Sequence, residues 1–504
     1  MSPSSRTADT AFRVADRIKS PEPWEVYAES SRRFEIHLGG RSVEMIRGPI
    51  ALEGYGIRVL RPHNGSTGSG FQASTDLTDA GIRAALEDAE TVARFSEFPA
   101  KKVELPGRAP SPGDRAEILD RRLWDDPLKA VEAHIAALLS GFEGRKEIVP
   151  SFGSVRATLS ETTIANSSGL RTSYAHTLVD LEVAVKAFGG PEGAPPGEYW
   201  VNSSSRRFDT ERLPTEVEAW CTYAKDVRRA VPPPSGDLPV LLPAGVLAGI
   251  LPAVVGYRFT GAARLRKIAP NVGDAAAAES VTLQDDGLRA WAPSSSPVDA
   301  EGAVRGGRPL IAAGKVSGLL YDASHAAAFD VASTASATRG SDPNGFFDWR
   351  RFLHSPRVTS STIAIAAGDG GSDAELIEAA GDGVWVQQLG WAVPDAISGA
   401  FGGEIRIGYR VRNGKLAEPV RGGTVGGVVL APPGRPSLLQ NVAEIGSTVT
   451  LAESVASPTL LVRPLVVAGA AGASAPTSKP KGAGRGSSGT SGTARRGRSR
   501  STSR

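Results

Sequence analysis

The period of the apolar pattern changes abruptly near residue 78, and that change commits the chain to a fold mixing sheet and helix. From residue 25 to 75, strand-like runs alternate with turns, around Arg33 to Leu38, Ser42 to Arg47, Gly56 to Leu60 and Gly70 to Thr75, with Gly39-Gly40 at the first turn. Such runs, broken by glycine pairs, read as an antiparallel meander. From Thr78 onward Ile82, Leu86, Ala89 and Ala93 recur at three- and four-residue steps behind Asp76 or Thr78, either of which can cap a helix. An amphipathic helix therefore follows the sheet.

The same alternation of patterns returns after ELPGRAPSPGD, a stretch of fixed and permissive backbones that suits a boundary. Leu128, Val131, Ile135 and Leu138 mark a helix, SVRATLSETTIANSSGLRTSY and TLVDLEVAVKAF are strand-like, and Asn166 to Gly169 form a turn. A helix near Glu216 to Val227 places Val217, Cys221 and Ala224 on one face, which makes Cys221 a core thiol. After VPPPSGD comes the apolar strand PVLLP, then helical apolar content from Ala244 to Tyr257, then strand- and glycine-rich sequence to about residue 468. The expected fold class is α+β: N-terminal mixed α/β domains with antiparallel sheet and amphipathic helices, followed by a large β-rich C-terminal domain. The expected divisions are an extension over 1–24, a first domain over 25–105, a second over 115–232, a third over 237–468, and a Gly/Ser/Arg tail over 471–504 too poor in apolar surface to order.

Charge and cysteine content narrow the function classes. Cys221 is the only cysteine among 504 residues, so neither an intrachain disulfide nor a cysteine-based zinc cluster can form. The N-terminus lacks a long apolar run, and nowhere do about 18 apolar residues stand together. A cytoplasmic protein is expected, with no membrane partner. Residues 471–504 hold eight cations and no acid; removing them from the formal charge of +3 leaves the body at −5. Nucleic-acid binding by the body is not indicated, although the basic tail can supply weak, salt-sensitive contacts.

The usual catalytic signatures are missing. The histidines are His37, His63, His134, His176, His325 and His354, and no two lie within five residues, so a helical H-E-x-x-H zinc motif is impossible. No G-x-S-x-G elbow or phosphate loop occurs in the body. Gly68, Gly70 and Ala73 echo a dinucleotide fingerprint, but on a strand-like run instead of at a helix start, where pyrophosphate binding needs the glycines. Asp285-Asp286 and Asp299 with Glu301 could bind a cation or move protons in a self-sufficient hydrolase; the blander reading is solvated turn residues.

The order of motifs resembles the TldD/PmbA family. The carriers are GYGIRVLRPHNGSTGSGFQASTDLTDAGIRAALEDAETVAR, then LQDDG, SPVDAEGAVRGGRPLIAAGKVSGLLYDASHAA and STASATRG, then RNGKLAEPVRGGTVGG and SPTLLVRPLVVAG, over about residues 25 to 468. The resemblance implies a cytoplasmic, zinc-dependent peptidase system acting on peptides or unfolded polypeptides, built as a heterodimer. One subunit of that pair carries an H-E-x-x-x-H helix; the other lacks it. Here LPAVVGYRFTGA looks like the corresponding stretch, with Pro252 and Tyr257 at the histidine positions and Ala253 at the glutamate. The resemblance therefore implies a PmbA/TldE-type subunit with no catalytic or metal-ligating residue of its own, zinc in a TldD-type partner, and a role in peptide maturation or proteolysis. Pro252 is expected to remove a helical hydrogen bond and kink the helix. A non-enzymatic regulatory or binding protein is the remaining class.

Overall fold

Two glycines show how closely the first helix and sheet are fitted. In the computed structural model, which describes residues 6–107, 116–189, 195–340, 349–390, 392–431 and 435–469, strand β1 (Trp24–Gly39) pairs antiparallel with β2 (Ser42–Pro62), and β2 pairs antiparallel with β3 (Thr67–Ser74). Thr78 caps the following helix, accepting from Gly81 N–H, and Ile82, Ala85, Ala89 and Ala93 face the sheet. Gly68 and Gly70 lie on β3 beneath that helix: a Cβ on Gly70 would stand 1.8 Å from the Ala89 carbonyl, and one on Gly68 1.9 Å from that of Ala93. These glycines serve helix-on-strand contact, a role the sequence reading did not assign them. Gly70→Ala is expected to cost roughly 1–3 kcal/mol by forcing the helix off the sheet, seen as a lower urea midpoint; an unchanged midpoint would contradict it.

The meander departs from expectation in one respect. The runs at Ser42 to Arg47 and Gly56 to Leu60 are a single strand, because the break at Gly48-Pro49 is absorbed as a register shift opposite Phe34 instead of a turn. The N-terminal extension contains a helix that packs on the first sheet. Residues Arg6–Arg17 form a helix, and Val14, Ala15 and Ile18 enter the core shared by β1, β2 and the Asp79–Phe95 helix. Their three- and four-residue spacing supplies the apolar face.

The central segment joins the same sheet. Helices Arg121–Asp125 and Pro127–Ser140 precede β4 (Ile148–Asn166), β5 (Arg171–Ala187) and β6 (Gly197–Ser205), and helix Leu213–Arg229 follows. β4 pairs along almost the whole of β1, giving one antiparallel sheet in the order β3-β2-β1-β4-β5-β6 that runs across the expected boundary. Val131, His134, Ile135 and Leu138 point inward, whereas Leu128, in the first turn, is exposed. Cys221 is fully buried beside Val217 and Ala224, as expected.

The C-terminal segment is β-rich, and with it the expected α+β class is met. Its largest sheet has β7 (Gly236–Leu242) between Gly383–Gly390 and Leu460–Ala468, and a second sheet includes Leu283–Asp286, Gly307–Ala312 and Ile363–Ile365. Both cover one large core that includes Val240, Leu242, Leu251, Val255, Leu283 and Ile363. No described helix is long and apolar enough to cross a membrane. The tail over 471–504 lies outside the described residues.

Candidate functional site

Helical apolar content between Ala244 and Tyr257 resolves into two short helices, Ala244–Ala248 and Leu251–Arg258. The second buries Leu251, Ala253, Val254, Val255 and Gly256. Gly256 permits contact with the 359–361 segment, since a Cβ there would meet Ser360 Oγ at 2.6 Å, and its carbonyl accepts from Thr359 Oγ1 at 3.1 Å. Pro252 sits in the first turn, where a backbone N–H has no helical acceptor anyway. The expected kink is thus absent. The chain breaks before the proline, and the proline starts the next helix.

Pro252 borders a small cleft, about 60 Å³, to which all three segments contribute. Tyr27 comes from β1, Tyr174 from β5, and Asp299, Arg305, Arg339 and Arg351 from the C-terminal segment. Tyr257 lies off the cleft, as five helical residues turn the chain about 140°. Its hydroxyl is buried without a hydrogen-bond partner, and Arg266 stacks 5.9 Å from its ring centre. Pro252 and Ala253 carry no donor atom, and a neutral phenol is a poor zinc ligand beside imidazole. Among the described residues no group of three His, Cys, Asp or Glu side chains could hold a metal. These residues do not fit a zinc ion.

The acidic residues singled out in the sequence are anchors in the fold. Asp285, Asp299 and Glu301 are 2%, 1% and 1% exposed, which overturns the reading of solvated turns for these three. Asp285 Oδ1 accepts both the backbone N–H and the hydroxyl of Ser361, at 2.6 and 2.7 Å. Asp299 holds its own loop: Oδ1 accepts from Glu301 and Ala303 N–H, and Oδ2 from Ala337 N–H. Glu301 accepts from Arg58 Nη2 at 2.6 Å and from Ala323 N–H at 2.8 Å. Asp286, half-buried, accepts from Leu288 N–H at 3.3 Å and lies 3.7 Å from Arg289. Burial pushes the Asp285 and Asp299 carboxyls up while Arg305 pulls them down, and burial pushes Glu301 up to about 8 against the pull of Arg58. With both oxygens of Asp299 and Glu301, and one each of Asp285 and Asp286, already accepting protein hydrogen bonds, they are poorly placed to bind a cation.

Two buried charge networks escaped the sequence reading. In the first, Glu25 accepts from Arg58 at 2.8 Å and from Arg339 at 2.6 Å, so Glu25, Arg58, Glu301 and Arg339 tie β1 and β2 to the C-terminal segment. In the second, Arg206, fully buried, places Nη1 2.9 Å from His176 Nδ1. Guanidinium only donates, so Nδ1 must accept and Nε2 must carry the proton. That Nε2 faces Thr162 Oγ1 at 3.3 Å and Glu29 Oε1 at 4.0 Å. Burial, then the Arg206 and Arg351 cations, hold His176 well below its ordinary range, so it stays neutral. Burial raises Glu29 to about 7 against Arg351, whose backbone N–H donates to Glu29 Oε2 at 3.0 Å. The signal was legible: WEVYAES puts two carboxylates in a strand otherwise fit for burial, and buried carboxylates require partners.

Models described as PmbA/TldA metallopeptidase domain 1, central domain and C-terminal domain match residues 24–93, 116–230 and 235–469. The chain is 27% identical over 446 residues to a metalloprotease of Methanothermobacter thermautotrophicus, covering 86% of this chain and 89% of that one. It is 26% identical over 199 residues to the metalloprotease TldD homolog of Haemophilus influenzae, a match spanning 39% of each chain. TldE from Thermococcus kodakarensis superposes with a TM-score of 0.72 at 18% identity, covering 92% of this chain and 99% of that one. A Thermotoga maritima protein, solved as a candidate modulator of a DNA gyrase, gives 0.74 at 18% identity over 91% and 99%. Likeness at that identity speaks for the fold alone.

Proposed function

This chain belongs to the PmbA/TldD metallopeptidase family, and on that premise we propose that it is a PmbA/TldE-type subunit without a metal of its own. Its partner is a TldD-type chain bearing H-E-x-x-x-H and zinc, and the pair processes peptides or unfolded polypeptides in the cytoplasm. The observation that carries this reading is the cleft-facing turn of the Leu251–Arg258 helix. There Pro252 and Ala253 stand where the resemblance calls for a ligand and a general base. Neither can polarise a carbonyl or activate water. What this chain contributes is shape: the three-segment cleft and the buried ion networks that fix its walls.

Affinity purification of the chain from its native host, with metal analysis of the eluate, tests the proposal. We expect a companion chain with H-E-x-x-x-H to co-purify with zinc, and the chain expressed alone to leave peptides uncut. Stoichiometric zinc in the isolated chain, with peptide cleavage at the full rate, would overturn it.

A further inference from the structure

The cleft beside Pro252 carries more positive than negative charge. Arg305, Arg339 and Arg351 line it against Asp299 alone. Both Asp299 oxygens already accept backbone N–H groups, and Arg339 is spent on Glu25 and on the Ala300 and His354 carbonyls. Arg305 differs in its free donors, although its charge already pulls on the buried Asp285 and Asp299 carboxyls. It is 6% exposed, its Nη2 donates to the Ala337 carbonyl at 3.0 Å, and among the described residues its Nε and Nη1 have no hydrogen-bond partner. Two unpaired donors on a buried guanidinium are costly unless something fills them part of the time. Arg351 borders the same cleft, with Glu29 behind it, and hydroxyl-bearing Ser360 and Ser454 complete the wall. Burial holds Glu29 up to about 7, so the nearest carboxyl behind Arg351 is largely uncharged below that pH.

We propose that this cleft binds a carboxylate, received by Arg305 and supported by Arg351. A planar guanidinium with adjacent free N–H groups matches the two oxygens of a carboxylate, whereas an ammonium would offer only a point charge. That the carboxylate belongs to a peptide rests on the function proposed above; the carboxylate site itself rests on the arginines. Its two peptide sources are a C-terminus and an acidic side chain.

Full-length chain titrated with tetra-alanine carrying an uncharged dansyl label, as the free acid, the C-terminal amide, and the amide with one alanine replaced by glutamate, separates these sources. The free acid is expected to bind at least about tenfold more tightly than the plain amide. If the glutamate-bearing amide matches the free acid, the site takes either source; if it matches the plain amide, the site reads the C-terminus. Arg305→Gln and, separately, Arg351→Gln should erase the acid-over-amide preference and leave amide binding unchanged. Arg351 is only partly buried, and the wild-type ratio needs no variant at all, so a folding defect in Arg305→Gln leaves the test intact. Equal binding of acid and plain amide, no binding of either, or a ratio preserved in both variants would overturn the site. A chain that recovers no zinc-bearing companion yet keeps the ratio loses the subunit reading and keeps the carboxylate site; the reverse result loses the site alone.

Discussion

Arg58→Met is expected to lower the stability of the chain by about 3–5 kcal/mol, the cost of leaving buried carboxylates without their cation. Arg58 is 3% exposed and lies directly across the β1–β2 ladder from Glu25. Its Nη2 reaches Glu25 at 2.8 Å and Glu301 at 2.6 Å, and both carboxylates are 1% exposed. Removing the guanidinium takes one of two cations from Glu25, which keeps Arg339, and takes from Glu301 the cation that holds its burial-raised carboxyl down, leaving it the Ala323 N–H. Glu301 therefore suffers most, and the loop it anchors, which borders the cleft, should loosen first. Replacing Arg58 and Glu301 together by Met and Gln, with Glu25 left to pair Arg339, should cost less than the single change, because Glu301 is then no longer a buried acid deprived of its cation. Urea unfolding followed at the first transition reads both variants. A single-variant loss under about 1 kcal/mol would show that water reaches the network and that the pairing is worth no more than a surface ion pair.

The sheet–helix architecture was legible because local signals agreed with the global fold. Thr78 at a cap and apolar residues every three or four positions point to one packing, and the glycines that let helix and strand touch became visible only in the fold. The chemistry of the acidic loops was less legible. Asp299 stands in a Gly-containing, turn-like stretch that reads as solvated, and only the long-range approach of Ala337 shows that its second oxygen is used inside the protein. Likewise Glu301 finds Arg58, 243 positions away in sequence, and no periodicity within either segment encodes that meeting. Pro252 illustrates a third limit. Its effect on a helix depends on where the helix begins, and a boundary error of one turn changes a kink into a start. Arg305 was missed for a related reason, because an unpaired donor can be recognised only once every neighbour has been placed.

Glu29→Gln is expected to be nearly neutral in acid and increasingly stabilising as the pH rises, reaching about 3 kcal/mol near pH 8. Glu29 is 2% exposed, with Oε2 on the Arg351 N–H and Oε1 without a partner, 4.0 Å from the protonated Nε2 of neutral His176. Burial raises its folded value to about 7, against the pull of Arg351 and Arg206, while the unfolded chain titrates at the ordinary 4.5. Between those values the folded protein holds a proton that the unfolded chain has released. Stability is therefore greatest below the unfolded value and is lost as the pH rises through the folded one. Glutamine keeps the shape and the uncharged state at every pH, so the variant escapes the loss. Other buried carboxyls with raised values, such as Glu301 at about 8, tilt both proteins alike, and the difference between the two isolates Glu29. Urea midpoints of wild type and variant between pH 4 and pH 8 give that difference directly. A gap that stays constant across the range would mean that Glu29 titrates as an ordinary carboxylate and that the wall of the cleft behind Arg351 is charged throughout.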